Sequence, residues 1–269
     1  MKTSILIRAS FFGVTLSLLT GAAVCAASPF DGTWKASPEH YHMFKEPVTL
    51  ALANGEFSNT FAAPPYTIKA DGTDQKVAGH TDFDTESVTV VDSHTIRRTF
   101  KLQGKAVQVE STSVADDGKT AIFEVIDYTG AQPSTLRASA NRVAEGVAGS
   151  HAVAGAWAFS KVLSLEGPGY TTVYALTDDG FTSSSNGQSY EAKFDGRKYP
   201  VSGDPAHTEV TVKKLPDGAI EERDYQQGEL VGINRYRVAA DGRTLRITNT
   251  DTKTHTTNRS TLAKAPGGP

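Results

Sequence analysis

Cysteine is nearly absent. The chain has one, Cys25, in 269 residues, and it lies in a leader-like N-terminal stretch. The body of the protein is therefore expected to have no disulfide, catalytic thiol or cysteine-bound metal. Positive charge is not in excess either, since 27 Lys and Arg stand against 30 Asp and Glu for a formal net charge of −3. That argues against a nucleic-acid partner, whose phosphates need a basic face. The one mostly apolar run, Phe11 to Val24, is broken by Ser and Thr and falls short of the about 20 apolar residues of a membrane span. No longer stretch has the period of an amphipathic helix, so helix is expected only as a short cap.

Catalytic signatures are missing too. The sequence has no nucleophile elbow, Gly-rich phosphate loop or zinc-protease helix. Neighbouring carboxylates such as Glu221 and Glu222 point to opposite faces of a strand and cannot flank one bond. No cofactor is expected. Any catalysis would have to come from a shaped pocket with Tyr, Arg and Glu in it.

What is present begins with an export signal. Lys2 and Arg8 give a positive start, the apolar run follows, and small residues around Ala26 suit a signal peptidase. Residues 1–26 are read as this leader, which predicts a periplasmic or secreted product. Cys25 near the cut raises the alternative of a lipid anchor, but Val24 is bulkier than the small residue that such processing needs. Loss of Lys2 and Arg8, with no acidic residue, takes the net charge from −3 to −5.

The rest of the chain is written twice. YEAKFDGRKYPVSG at Tyr190–Gly203 has a diverged copy, YTIKADGTDQKVAG, at Tyr66–Gly79. Gly32-Thr-Trp34 pairs with Gly155-Ala-Trp157, Gly104 with Gly228, and ADDGKT from Ala115 with AADGRT from Ala239. A period of this length implies domains rather than solenoid coils. The expected division is 29–144 and 155–264, with a small, nearly uncharged linker at 145–154 and a tail at 265–269.

Within each half the signal is period two in short β-branched and aromatic runs, separated by Asp-Gly pairs suited to tight hairpins. Strands are expected at Glu86–Val91, Thr95–Leu102, Ala106–Val114, Thr120–Tyr128 and Ser134–Arg142. In the second half they fall at Tyr170–Leu176, Ser189–Phe194, Glu209–Leu215, Ile220–Gln226, Glu229–Val238, Thr244–Thr250 and Thr256–Leu262. An up-and-down meander of seven to nine strands in each half most economically closes on itself and removes its edges. The fold class is therefore all-β, with two tandem antiparallel up-and-down β-barrels; a sandwich is the alternative.

GTWK at Gly32–Lys35 followed by a meander resembles the opening of lipocalin and fatty-acid-binding-protein barrels. KFDGRKYPVSGD with the later RYRVAADGRTLRIT is similar to exported bacterial lipocalin-like proteins of largely unknown function. The resemblance covers the second half well and the first moderately, where Gln75-Lys76 stands near the place of Tyr199-Pro200. It implies a barrel able to hold small molecules, and no reaction.

Candidate ligand-binding residues follow from strand alternation. Ile96, Arg98 and Phe100 are set against Glu221, Arg223 and Tyr225. If Phe100 and Tyr225 face inward, Arg98 and Arg223 do as well, and each needs a partner such as Glu221 or a ligand's anionic group. An outward Arg on a solvated face is the plainer reading, but the opposite register would bury Ile220, Glu222 and Asp224, which is worse. Arg235 and Arg237 share one face of the next strand, where the first half has Ser111 and Ser113. Tyr190, with Tyr199, Tyr225 and Tyr236, could add hydroxyls. His40 and His42 alternate on one face beside Glu39, yet the other histidines show no ligand spacing, and no metal is expected. The leading expectation is an exported binding protein for a small hydrophobic or amphipathic molecule, with an anionic group meeting the arginines, in the second barrel. A pocket-type enzyme (isomerase, cyclase or hydrolase) and an envelope interaction or scaffold module are the alternatives.

Overall fold

A computed structural model of the chain describes residues 28–266 apart from 60, 61 and 63. The expected leader at 1–26 and the last three residues of the expected tail lie outside the described residues.

Alternating burial, as in Val48, Leu50 and Leu52 with exposed residues between them, drives strand formation throughout. In the first half the strands are β1 (Gly32–His42), β2 (Val48–Ala53), β3 (Glu56–Asn59), β4 (Tyr66–Lys69), β5 (Gln75–Lys76), β6 (Thr85–Val90), β7 (Thr95–Leu102), β8 (Lys105–Val114), β9 (Thr120–Asp127) and β10 (Ser134–Glu145). The second half supplies β11 (Gly155–Glu166), β12 (Thr171–Leu176), β13 (Gly180–Ser185), β14 (Gln188–Lys193), β15 (Tyr199–Pro200), β16 (Glu209–Lys214), β17 (Ile220–Gln226), β18 (Glu229–Val238), β19 (Thr244–Asp251) and β20 (Thr257–Lys264). The single helical element among the described residues is a 3-10 turn at Pro168–Tyr170.

These strands form two nearly closed antiparallel sheets of ten, in the orders β4-β3-β2-β11-β10-β9-β8-β7-β6-β5 and β14-β13-β12-β1-β20-β19-β18-β17-β16-β15. The first comes round on itself through the bridge between Asp71 and Thr89, the second through that between Ser189 and Ser202. The all-β barrel architecture read from the sequence is thus the one observed, with ten strands in each barrel rather than seven to nine. The tightest hairpins differ from expectation. Two-residue turns with both φ angles positive are Asn54-Gly55, Gln103-Gly104, Asn186-Gly187 and Gln227-Gly228. In the Asp-Gly turns only the glycine of Gly72, Gly196, Gly218 and Gly242 is left-handed. There the aspartate accepts a backbone N–H two residues on, as Asp71 does from Thr73 and Asp195 from Arg197.

The sheets do not divide at the middle of the chain. β1 pairs with β12 and β20, and β11 with β2 and β10. Each barrel is completed by the opening strand of the other half, so the ranges 29–144 and 155–264 are not the barrels themselves. The expected linker is instead the loop of a long hairpin, because β10 and β11 pair from Thr135 opposite Glu166 to Glu145 opposite Gly155. A short loop favours pairing with the immediate neighbour, and two similar Gly-x-Trp openings fit either sheet.

Each exchanged strand carries the centre of a core. Trp34, fully buried, packs with Phe30, Phe181, Ile220 and Leu245, while Trp157, also fully buried, packs with Leu50, Phe57, Val88 and Ile96. Each indole N–H donates to the carbonyl four residues earlier, Trp34 to Phe30 at 2.7 Å and Trp157 to Val153 at 2.9 Å. Arg142 lies 4.1 Å over the Trp157 ring and gives hydrogen bonds to the carbonyls of Gly118, Ala152 and Ala154. Truncating Trp34 to Ala should cost about 3–5 kcal/mol. In hydrogen exchange the loss of protection should fall on Thr171–Lys264 and spare Val48–Asp127. Loss confined to Val48–Asp127 would contradict the exchange of opening strands.

Candidate functional site

The first barrel has a charged interior. Arg98 on β7 is 4 % exposed and donates to Glu86 on β6 at 2.7 Å and to Glu110 on β8 at 2.6 Å. These carboxylates sit on the two strands flanking β7, so the guanidinium is clamped across the sheet. Tyr66 on β4 donates to the fully buried Glu86, and Gln108 donates to Glu110 at 2.6 Å. The guanidinium also lies 4.9 Å from the Phe57 ring and 4.6 Å from that of Phe100. Burial alone would lower the Arg98 pKa, but Glu86 and Glu110 outweigh it and hold the group raised and charged. The neighbouring cavity is small, about 120 Å³. His80 lines it and stacks on Phe83; burial lowers its pKa to about 4, so it is neutral at physiological pH.

The second barrel is built on a carboxylate instead. Glu222 on β17 is 5 % exposed and accepts from Tyr190 on β14. It also accepts from Asn234 at 2.9 Å and Tyr236 at 3.1 Å, both on β18. Asn234 donates in addition to Asp224 at 2.9 Å. Tyr236, Tyr174 and Phe181 form an aromatic wall, with Tyr174 stacked on Phe181 at 5.3 Å and Tyr236 tilted against both. Burial, then the Glu222 charge, raises the pKa of Tyr174, Tyr190 and Tyr236, so these phenols keep their protons and act as donors. Beside them opens a cavity of about 250 Å³, lined by Tyr174, Tyr190, Glu222, Asn234 and Tyr236 and by apolar Val210 and Leu262. Phe44 and Tyr170 line both cavities.

Of the six residues expected to meet a ligand, Arg98 and Tyr190 face the interiors. The other four do not. Arg223 is exposed and pairs with Glu221 at 3.0 Å. Arg235 and Arg237 are exposed and share Asp217. Tyr225 lies under Lys198, whose ammonium is 4.0 Å from the ring centre, and does not line the cavity. The expected inward Arg223 is corrected by register: the spacing that carries Tyr66 onto Tyr190 and Gly104 onto Gly228 carries Arg98 onto Glu222. A bulge follows in both barrels, between Phe100 and Lys101 and between Asp224 and Tyr225, and this turns Tyr225 off the inner face. Counting back from the paired glycines would have found Glu222. Its hydrogen bonds to Tyr190, Tyr236 and Asn234 are what make that register tolerable.

His40 and His42 are exposed on β1. Among the described residues no group of three or more His, Cys, Asp or Glu is placed to hold a metal ion, and no helix is long and apolar enough to cross a membrane. No family model, curated protein or solved structure matches the chain.

Two carboxylates against one guanidinium leave the first barrel with a surplus negative charge. Burial and then Glu86 raise the Glu110 pKa above its ordinary 4.5, against the pull of Arg98. A raised folded pKa contributes stability below the unfolded value and loses it as pH rises through the folded one. Glu110→Gln should therefore gain in melting temperature relative to the parent as pH increases above 4.5. Glu86→Gln should lose about 2–3 kcal/mol at neutral pH. Thermal melts from pH 4 to 8 check both, and a Glu110→Gln difference that shrinks with rising pH would contradict the assignment.

Proposed function

We propose that the protein is an exported, lipocalin-like binding protein that arose by tandem duplication and holds a small amphipathic molecule, without a covalent bond, inside its second barrel. The observation that carries this reading is the cavity of about 250 Å³ beside Glu222, at the position where the first barrel places its own Arg98. Apolar walls with a few convergent polar groups are what ligand pockets require. The export signal read from residues 1–26 supports a periplasmic or extracellular place of action. The protonated tyrosines favour holding a ligand over withdrawing its protons, since a phenol held above its ordinary pKa is a poor base.

The energetics are sufficient for reversible binding. Burying about four methylenes contributes on the order of 3 kcal/mol, and one hydrogen bond to a charged group adds about 1.5–3 kcal/mol. Several such contacts, less the cost of association, place Kd between roughly micromolar and millimolar. A thermal-shift screen of small cationic, neutral and acidic metabolites should return at least one stabilising class, by about 2.7 kcal/mol at a hundredfold excess over Kd. The shift should vanish in Ser183→Trp, which projects an indole into the cavity while circular dichroism shows the fold retained. A flat screen, or a shift that survives this substitution, would remove the second-barrel reading.

A further inference from the structure

The two interiors differ most in the sign of the charge at one corresponding position. We infer that the second barrel takes an organic cation, an alkylguanidinium or alkylammonium; this rests on the reading of its cavity as a binding site.

The first barrel shows what such an interior accommodates. The Arg98 guanidinium is bound by Glu86 and Glu110 and packed on the rings of Phe57 and Phe100, so the chain supplies its own cation to a nest of carboxylates and aromatics. In the second barrel Glu222 stands at the Arg98 position, Asn234 at that of Glu110 and Phe181 at that of Phe57. One of the two rings is thus retained, Asp224 standing where the first barrel has Phe100, while the resident cation is removed and a carboxylate replaces it.

Glu222 is buried, and every hydrogen bond it receives comes from a neutral group, Tyr190, Tyr236 or Asn234. Buried charges are ordinarily answered by opposite charge. A second feature points the same way. Gln188 lines the cavity and is 3 % exposed. Its amide nitrogen is committed to the Thr129 carbonyl at 3.3 Å, while its side-chain oxygen has no partner among the described residues. The side-chain oxygen of Asn258, which also lines the cavity, is likewise without a partner. The two unpartnered polar atoms of the lining are therefore both acceptors, which a cation can answer and an anion cannot. Among the described residues its only basic side chains are His42 and Arg259, both exposed. The absence of a three-ligand cluster among the described residues favours an organic cation over a metal ion.

Three nearly isosteric probes test this by isothermal titration calorimetry on the processed full chain: N-butylguanidinium, N-butylurea and pentanoate. N-butylguanidinium should bind about tenfold or more tightly than N-butylurea, the margin between a charged and a neutral hydrogen bond, and pentanoate should not bind. Glu222→Gln, nearly isosteric, should erase the preference for N-butylguanidinium over N-butylurea. Should that variant melt early, the pair Glu222→Arg with Asn234→Glu copies the Arg98–Glu110 pair and should abolish cation binding in a folded protein. Equal or tighter binding of N-butylurea or pentanoate overturns the cation and leaves a small-molecule site in place. Failure of N-butylguanidinium to bind also overturns it, and the binding site then stands or falls with the thermal-shift screen.

Discussion

The pairing of β10 with β11 along their whole length decides which strand completes which barrel. Because the connection between them is a hairpin loop, the second opening strand is held beside β10 and closes the first barrel. β1 is then left to close the second, between β12 and β20. The two tryptophans follow their strands, so each core contains an indole from the other half of the chain. Leu136, Ala138 and Val162, from the far ends of β10 and β11, join the second core, and Phe159 touches both. The barrels exchange their opening strands and meet through shared core and cavity side chains.

Inside that frame the governing constraint is electrostatic. A barrel interior is too dry to leave a charge unanswered, and the two interiors meet this in different ways. The first brings charges of both signs from adjacent strands and fills its space with them. The second surrounds a carboxylate with phenols and an amide and keeps its space open. The difference depends on a handful of substitutions at corresponding positions, Arg98 against Glu222, Glu110 against Asn234, Thr112 against Tyr236 and Leu50 against Tyr174, on backbones of the same strand order.

Much of the fold was legible in the sequence. Period two, the β-branched content and the turn residues placed β7, β17 and β18 to the residue and nine more strands within one to three residues, while β1 to β5, β11, β13 and β15 were not read as strands. What escaped has particular causes. β13, GFTSSS, is serine-rich and carries little β signal. β5 and β15 are two residues long, below any periodicity. The strand exchange leaves no mark because both openings are Gly-x-Trp. In the site, Arg98 and Tyr190 were visible as candidates, but Glu222 was hidden by an alignment that matched arginine to arginine. Strand register is unforgiving in this respect, since a slip of one residue reverses every face.

The exchange also fixes an order in time. β1 is the first strand of the described chain to be synthesised, yet its partners are β12 and β20, the latter ending at Lys264. Trp34 can take its place against β12 once Leu176 is made, but its other flank and the Leu245 and Leu262 side of its core come only with β19 and β20. The first barrel can close once Glu166 has emerged, whereas the second closes only when β20 reaches the free edge of β1, the longest-range strand pairing among the described residues. In the interval β1 is an edge strand with one flank open, and the second barrel stays an unclosed sheet until β20 covers it.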